Sequence, residues 1–166
     1  VIELVDPGPW MHGSVQDRWS AVLRMLRARG WRVALRTEPL ILGKGRSITI
    51  HPARQIWLRP SADVARPTLA DLALLVHEAV HVLQGEGSRI LWPLRYALDP
   101  WFRRRVEAEA YAHAEAVLLS FGSAVRYADP WVLRRRVYWL IWRDHGTAAR
   151  IHARAADLVS CAQGGA

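Results

Sequence analysis

Residues 72–87 read LALLVHEAVHVLQGEG, an apolar run that carries two histidines and a glutamate at its centre. Burying three ionisable groups is costly unless partners meet them. Any fold this chain adopts therefore has to bring something to His77, Glu78 and His81. On a helix, residues four apart share a face, so His77 and His81 can offer both imidazoles to one metal ion. Glu78 stands about 100° round the helix from His77, near enough to reach a water molecule at that ion without being a ligand. Metal-assisted hydrolysis needs this set of groups, since the ion acidifies water and the glutamate takes the proton. The competing explanation is a pair of core histidines satisfied by hydrogen bonds. Leu72, Leu75, Val76, Ala79, Val80, Val82 and Leu83 supply the apolar face that seats the helix.

The surrounding text places this helix in an α+β chain. Ser14 is a candidate cap for a first helix that runs through Trp19, Val22, Leu23 and Leu26 and stops at Gly30. Three short β-like runs follow, WRVALRTE at 31–38, RSITIHP at 46–52 and QIWLRP at 55–60, with Gly43 and Gly45 marking a turn. The segment SADVARP between Pro60 and Pro67 reads as a linker. Thr68 with Asp71 resembles a capping box, so the central helix should span 69–84 and end at Gly85. Asp99-Pro100 and Asp129-Pro130 each combine an N-cap with proline at the first helical position. They predict helices over 100–121 and 130–143, with a last one over 147–162. The expected whole is one domain, 1–166, with three parts: helix plus strands to 68, the candidate-site helices over 69–122, and C-terminal helices from 123.

A catalytic zinc takes three protein ligands. Gly87 stands where a third histidine six residues after His81 would fall. The better donors lie in RRRVEAEAYAHAEAV, 103–117. There Val106, Ala110, Ala114, Val117, Leu118 and Phe121 form one arc of a helix, with Glu107 about 40° from its centre and Glu109 about 120° away. Glu107 is the expected third ligand and Glu109 the runner-up, read otherwise as a solvated carboxylate pairing with an arginine such as Arg105. His113 is a weaker candidate. Tyr111, one turn after Glu107, is placed to brace that carboxylate or to stabilise an oxyanion.

HEAVH followed by EAEAY on a later helix resembles the gluzincin type of zinc metallopeptidase, and Gln84, completing HExxHxxQ, is similar to small bacterial and phage-associated domains of that type. The likeness implies a zincin-like fold and peptide hydrolysis. It implies zinc held by His77, His81 and Glu107, with Glu78 as general base. It also implies that QIWLRP is an edge strand along which a peptide or protein substrate pairs. Two departures stand beside it: 25 residues separate His81 from Glu107, longer than in the best-known gluzincins, and Tyr111 occupies a position where some relatives carry aspartate.

The rest of the chain adds a second class of reading. A formal net charge of +8, nearly all arginine with Lys44 the sole lysine, suits nucleic acid, an anionic membrane surface or an acidic protein. GC-rich coding or a hot habitat explains the same bias. WVLRRRVYWLIWR at 131–143 mixes arginine with aromatic residues, which suits either such a surface or a buried bundle helix. The alternative to an enzyme is thus an arginine-rich helical binding module with a degenerate or structural HEAVH site. Residues 85–101 should wall one side of the cleft. Arg95 or Tyr96 could polarise a carbonyl there, or Trp92, Tyr96 and Trp101 simply pack. Ser88, Ser160 and Cys161 have no nucleophile context, Gly43-Lys44-Gly45 lacks the rest of a P-loop, and His145 and His152 read as ordinary. A lone cysteine gives no disulfide framework, and no apolar stretch reaches the roughly 18 residues that span a bilayer. VIELVDPGPW lacks the pattern of a secretory leader, so an intracellular setting is expected.

Overall fold

A computed structural model of the chain describes residues 6, 8–35, 47–51, 53–58, 66–87, 90–123 and 145–164. The expected 130–143 helix, the aromatic run at 131–143, the glycine turn at 43–45, Ser88 and most of the 60–67 linker lie outside them. Among the described residues helix predominates, and a small three-stranded mixed sheet makes the arrangement α+β.

Local signals set most boundaries. Helix α1 (Val15–Ala28) begins at Ser14, whose hydroxyl accepts from the Asp17 N–H while the Asp17 carboxylate accepts from the Ser14 N–H. It ends before Gly30, which adopts φ +75° as a left-handed terminator requires. Helix α2 (Leu69–Gly85) opens on the same reciprocal cap between Thr68 and Asp71. Helix α4 (Pro100–Ser120) is capped by Asp99, whose carboxylate accepts from the N–H groups of Trp101 and Phe102.

Asp99 also closes helix α3 (Leu91–Leu98), which periodicity did not predict. Pro93 sits in the first turn of α3, where its missing N–H forfeits no helical hydrogen bond. Pro100 holds Asp99 extended (φ −108°, ψ 100°), so α3 cannot run on into α4. The break leaves Phe102 buried and Trp101 mostly exposed, against the expectation that Trp101 packs in the cleft wall.

The sheet is ordered β1-β3-β2, with β1 (Arg32–Leu35), β2 (Ser47–Ile50) and β3 (Gln55–Leu58). β3 pairs parallel with β1 and antiparallel with β2. The expectation that QIWL forms the edge is therefore wrong: both its edges are taken by neighbours. Alternation explains why β3 suits the centre, since Ile56 and Leu58 point into the core while Gln55 and Trp57 are half-buried. Among the described residues β2 pairs only with β3, which makes β2 the edge strand that packs on α2.

One hydrophobic cluster joins these elements, with Trp19, Val22 and Leu26 from α1, Ile56 and Leu58 from β3, and Leu72, Leu75, Val76, Ala79 and Val80 from α2. Ala110 and Val117 of α4 complete it with Ile151, Ala155 and Leu158 of the last helix, α5 (His145–Gly164). Each fully buried leucine or valine contributes roughly 1.5–3 kcal/mol over an exposed one.

Gly85 departs from the role expected of it. It is the last helical residue of α2 rather than a left-handed stop, and a Cβ built there would lie 1.9 Å from Cε1 of His51. Replacing a helical glycine by alanine ordinarily stabilises by about 0.5–1 kcal/mol. Gly85→Ala should instead destabilise, by about 1–3 kcal/mol as overpacked sites do. Denaturant unfolding checks this, and an unchanged or raised midpoint would mean that His51 yields freely.

Candidate metal centre

The α2–α4 crossing brings the expected ligands together. His77 and His81, one turn apart on α2, turn their Nε2 atoms to within 3.2 Å of each other. Glu107 on α4 sets Oε2 3.5 Å from the first and Oε1 3.4 Å from the second. All three side chains are buried, and one donor atom from each lies within 4.8 Å of the others.

These spacings test whether a cation fits. Donors about 2.0–2.2 Å from one ion at tetrahedral angles stand about 3.3–3.5 Å apart, which is close to the separations found. Without a proton between them, the imidazole Nε2 lone pairs and the carboxylate are all acceptors aimed at one point. The electrostatics agree. Burial works against a charge on His81, but Glu107, Glu78 and the Gln84 carbonyl outweigh it and lift the imidazole to about 9. Burial likewise opposes ionisation of Glu107, yet His81 and His77 hold its carboxyl well below the usual range. The site asks for positive charge at its centre. His77, His81 and Glu107 could hold a metal ion.

Supporting groups fix these side chains. Gln84 Nε2 donates to the Val106 carbonyl at 3.0 Å, so its Oε1 faces His81 Nδ1, also at 3.0 Å. His81 Nδ1 must then carry a proton, so Nε2 is the nitrogen a cation would take, in exchange for the second proton that Glu107 favours there. Tyr96 of α3 donates its hydroxyl to Glu107 Oε1. Tyr111 is buried with its ring edge-on to His77, centroids 4.7 Å apart. Trp92 stacks on Tyr96 and lies near His81, so α3 does wall the site as expected of residues 85–101.

Glu78 is buried beside the donor group but not in it. Its Oε2 accepts from Thr49 Oγ1 at 2.5 Å. Thr49 pairs with Ile56 across β2 and β3, so both side chains leave the sheet on the face turned to α2.

The other candidates fall elsewhere. Glu109 pairs with His113 (3.2 Å) and Arg154 (3.6 Å), rather than the Arg105 expected as its partner type. Arg95 bonds Asp99 at 3.3 Å and lies over the Phe102 ring. His152, read as ordinary, pairs with the buried carboxylate of Glu115. Sequence reasoning missed His51. It is buried between Trp31 and Trp92, and both ring nitrogens lack a hydrogen-bond partner among the described residues. Burial, then the charge on His81, push it down to about 4, so it is neutral near pH 7. The glycine in the last turn of α2 was its sequence trace, but glycine there also reads as a helix stop.

The chain matches no protein-family model, no curated protein and no solved structure.

Zn2+ titrated into metal-stripped protein should bind at about one ion per chain. Glu107→Gln should weaken binding by more than about 100-fold, whereas Glu109→Gln should stay near wild type. The ion must displace the proton that His81 holds up to about 9. Affinity should therefore rise with pH by about tenfold per unit through neutrality and level off above that value. Calorimetry at several pH values checks both points, and a flat profile would mean that no proton is displaced from His81.

Proposed function

We propose that this chain is a zinc-dependent peptide-bond hydrolase of the gluzincin kind, with a zincin-like arrangement around α2. The observation that carries the reading is the convergence of His77, His81 and Glu107 at separations suited to one cation, with Glu78 beside them and outside the donor set. Two imidazoles and a carboxylate suit zinc. A purely structural site has no use for a further buried carboxylate next to its ligands, whereas hydrolysis needs one to move a proton. HExxHxxQ with a downstream glutamate supports the same assignment.

When bound, zinc supplies Lewis acidity, lowering the pKa of water and polarising a carbonyl. The chain's own residues supply the rest. Glu78 receives the proton of the attacking water on its carboxylate. It returns that proton to the amide nitrogen as the C–N bond breaks, so each turnover ends with a carboxylic acid, an amine and Glu78 ionised again. Thr49 fixes the carboxylate by holding Oε2. Tyr96 and Gln84 keep the ligands aimed, which spares reorganisation during the reaction. A substrate in extended form aligns along β2, the strand edge nearest Glu78, rather than along β3.

Glu78→Gln keeps the size and burial of the side chain but cannot take a proton. It should retain one zinc per chain and lose about 10²–10⁴-fold in cleavage rate on an unstructured protein such as casein. Metal content and product release measured on the same preparation check this. Undiminished cleavage would remove Glu78 as the base, and zinc binding with no cleavage by the wild type would favour a structural site.

A further inference from the structure

The large apolar side chains that face solvent are gathered in one place. Ile90, Leu91, Leu94, Leu98 and Trp101 are 80%, 65%, 53%, 73% and 74% exposed, whereas among the described residues no other large hydrophobic exceeds 37%. Leu91, Leu94 and Leu98 follow a three-four spacing along α3, which puts them on one ridge, and Trp101 follows in the first turn of α4. Exposed apolar side chains scattered singly need no explanation, but a contiguous set marks a contact surface. Residues 90–106 carry four arginines against one aspartate, and that aspartate, Asp99, is already bonded by Arg95. Arg105 is exposed, and Arg104 lies over the ring of Trp101.

We propose that the ridge formed by α3 and the start of α4 docks on an anionic lipid surface, with its leucines and Trp101 in the acyl boundary and Arg95, Arg104 and Arg105 among the headgroups. Charge and shape select this occupant. A second copy of the chain would bring arginine against arginine. The side chains also protrude as a ridge, which a fluid bilayer accommodates and which a protein could meet only with a matching groove. The chain's net charge of +8 adds long-range attraction to the same surface. This inference does not depend on the metal centre.

Vesicle flotation of the full chain tests it, using phosphatidylcholine alone and phosphatidylcholine with about one third phosphatidylserine. The protein should float with the anionic vesicles, far less with the neutral ones, and less at high salt. Leu94→Glu combined with Leu98→Glu should lower binding by about tenfold or more. Arg104→Glu with Arg105→Glu should lower it by a similar factor and flatten the salt dependence. All four side chains are at least partly exposed, and far-UV circular dichroism confirms that the variants fold. Failure to float with either vesicle overturns the proposal, as does binding that both double variants leave unchanged. Sedimentation showing a dimer that Leu94→Glu abolishes, without vesicle binding, would reassign the ridge to self-association.

Discussion

Two imidazole nitrogens held 3.2 Å apart beside a buried carboxylate are the constraint around which this structure is arranged. Left alone, three acceptors converging in an apolar interior are costly, since burial removes the water that would otherwise satisfy them. The fold meets that cost in two ways. It supplies outer hydrogen bonds, from His81 Nδ1–H to Gln84 Oε1 and from the Tyr96 hydroxyl to Glu107, which lock each group in place. It also leaves the convergence point demanding a positive charge, met by a proton on His81 that Glu107 and Glu78 favour or by a cation in its place. Once those requirements are set, α2 and α4 have little freedom to slide past one another.

Helix α4 carries further buried polar groups besides Glu107. Away from Glu107, it presents Glu109 and His113, which pair with each other and with Arg154, and Glu115, which meets His152. These contacts seat α5. Buried polar pairs of this kind repay little stability once desolvation is counted, and their better-attested use is to favour one packing over its near alternatives. Apolar contacts, with Val117 of α4 and Ile151, Ala155 and Leu158 of α5 in the shared core, supply the cohesion.

What could be read from the sequence was what is local. Reciprocal caps at Ser14 and Thr68, and the Asp-Pro pair at 99–100, announce helix starts within a four-residue window, and the structure places helices there. The inward position of Glu107 followed from helical period alone. What escaped was pairing over distance. Nothing in QIWL says that a strand twenty residues earlier will lie parallel beside it, so the central position of β3 was invisible. Helix α3 is only eight residues long, too short for periodicity to announce, and Pro93 in its first turn is harmless. The contacts of Tyr96 with Glu107 and of His51 with Gly85 depend on how these elements dock, and no periodicity reports docking.

Gln84 has a consequence for how freely this motif can vary. Its single amide faces an imidazole N–H on one side and a backbone carbonyl on the other. Glutamate would match the first neighbour and set oxygen against oxygen at the second, asparagine is one methylene too short to span them, and an aliphatic residue would answer neither. The eighth place in HExxHxxQ is thus as chemically particular as the histidines, although it offers nothing to a cation. Drift at that position would release the imidazole to swap tautomers, and with it the alignment between the two helices that Gln84 bridges.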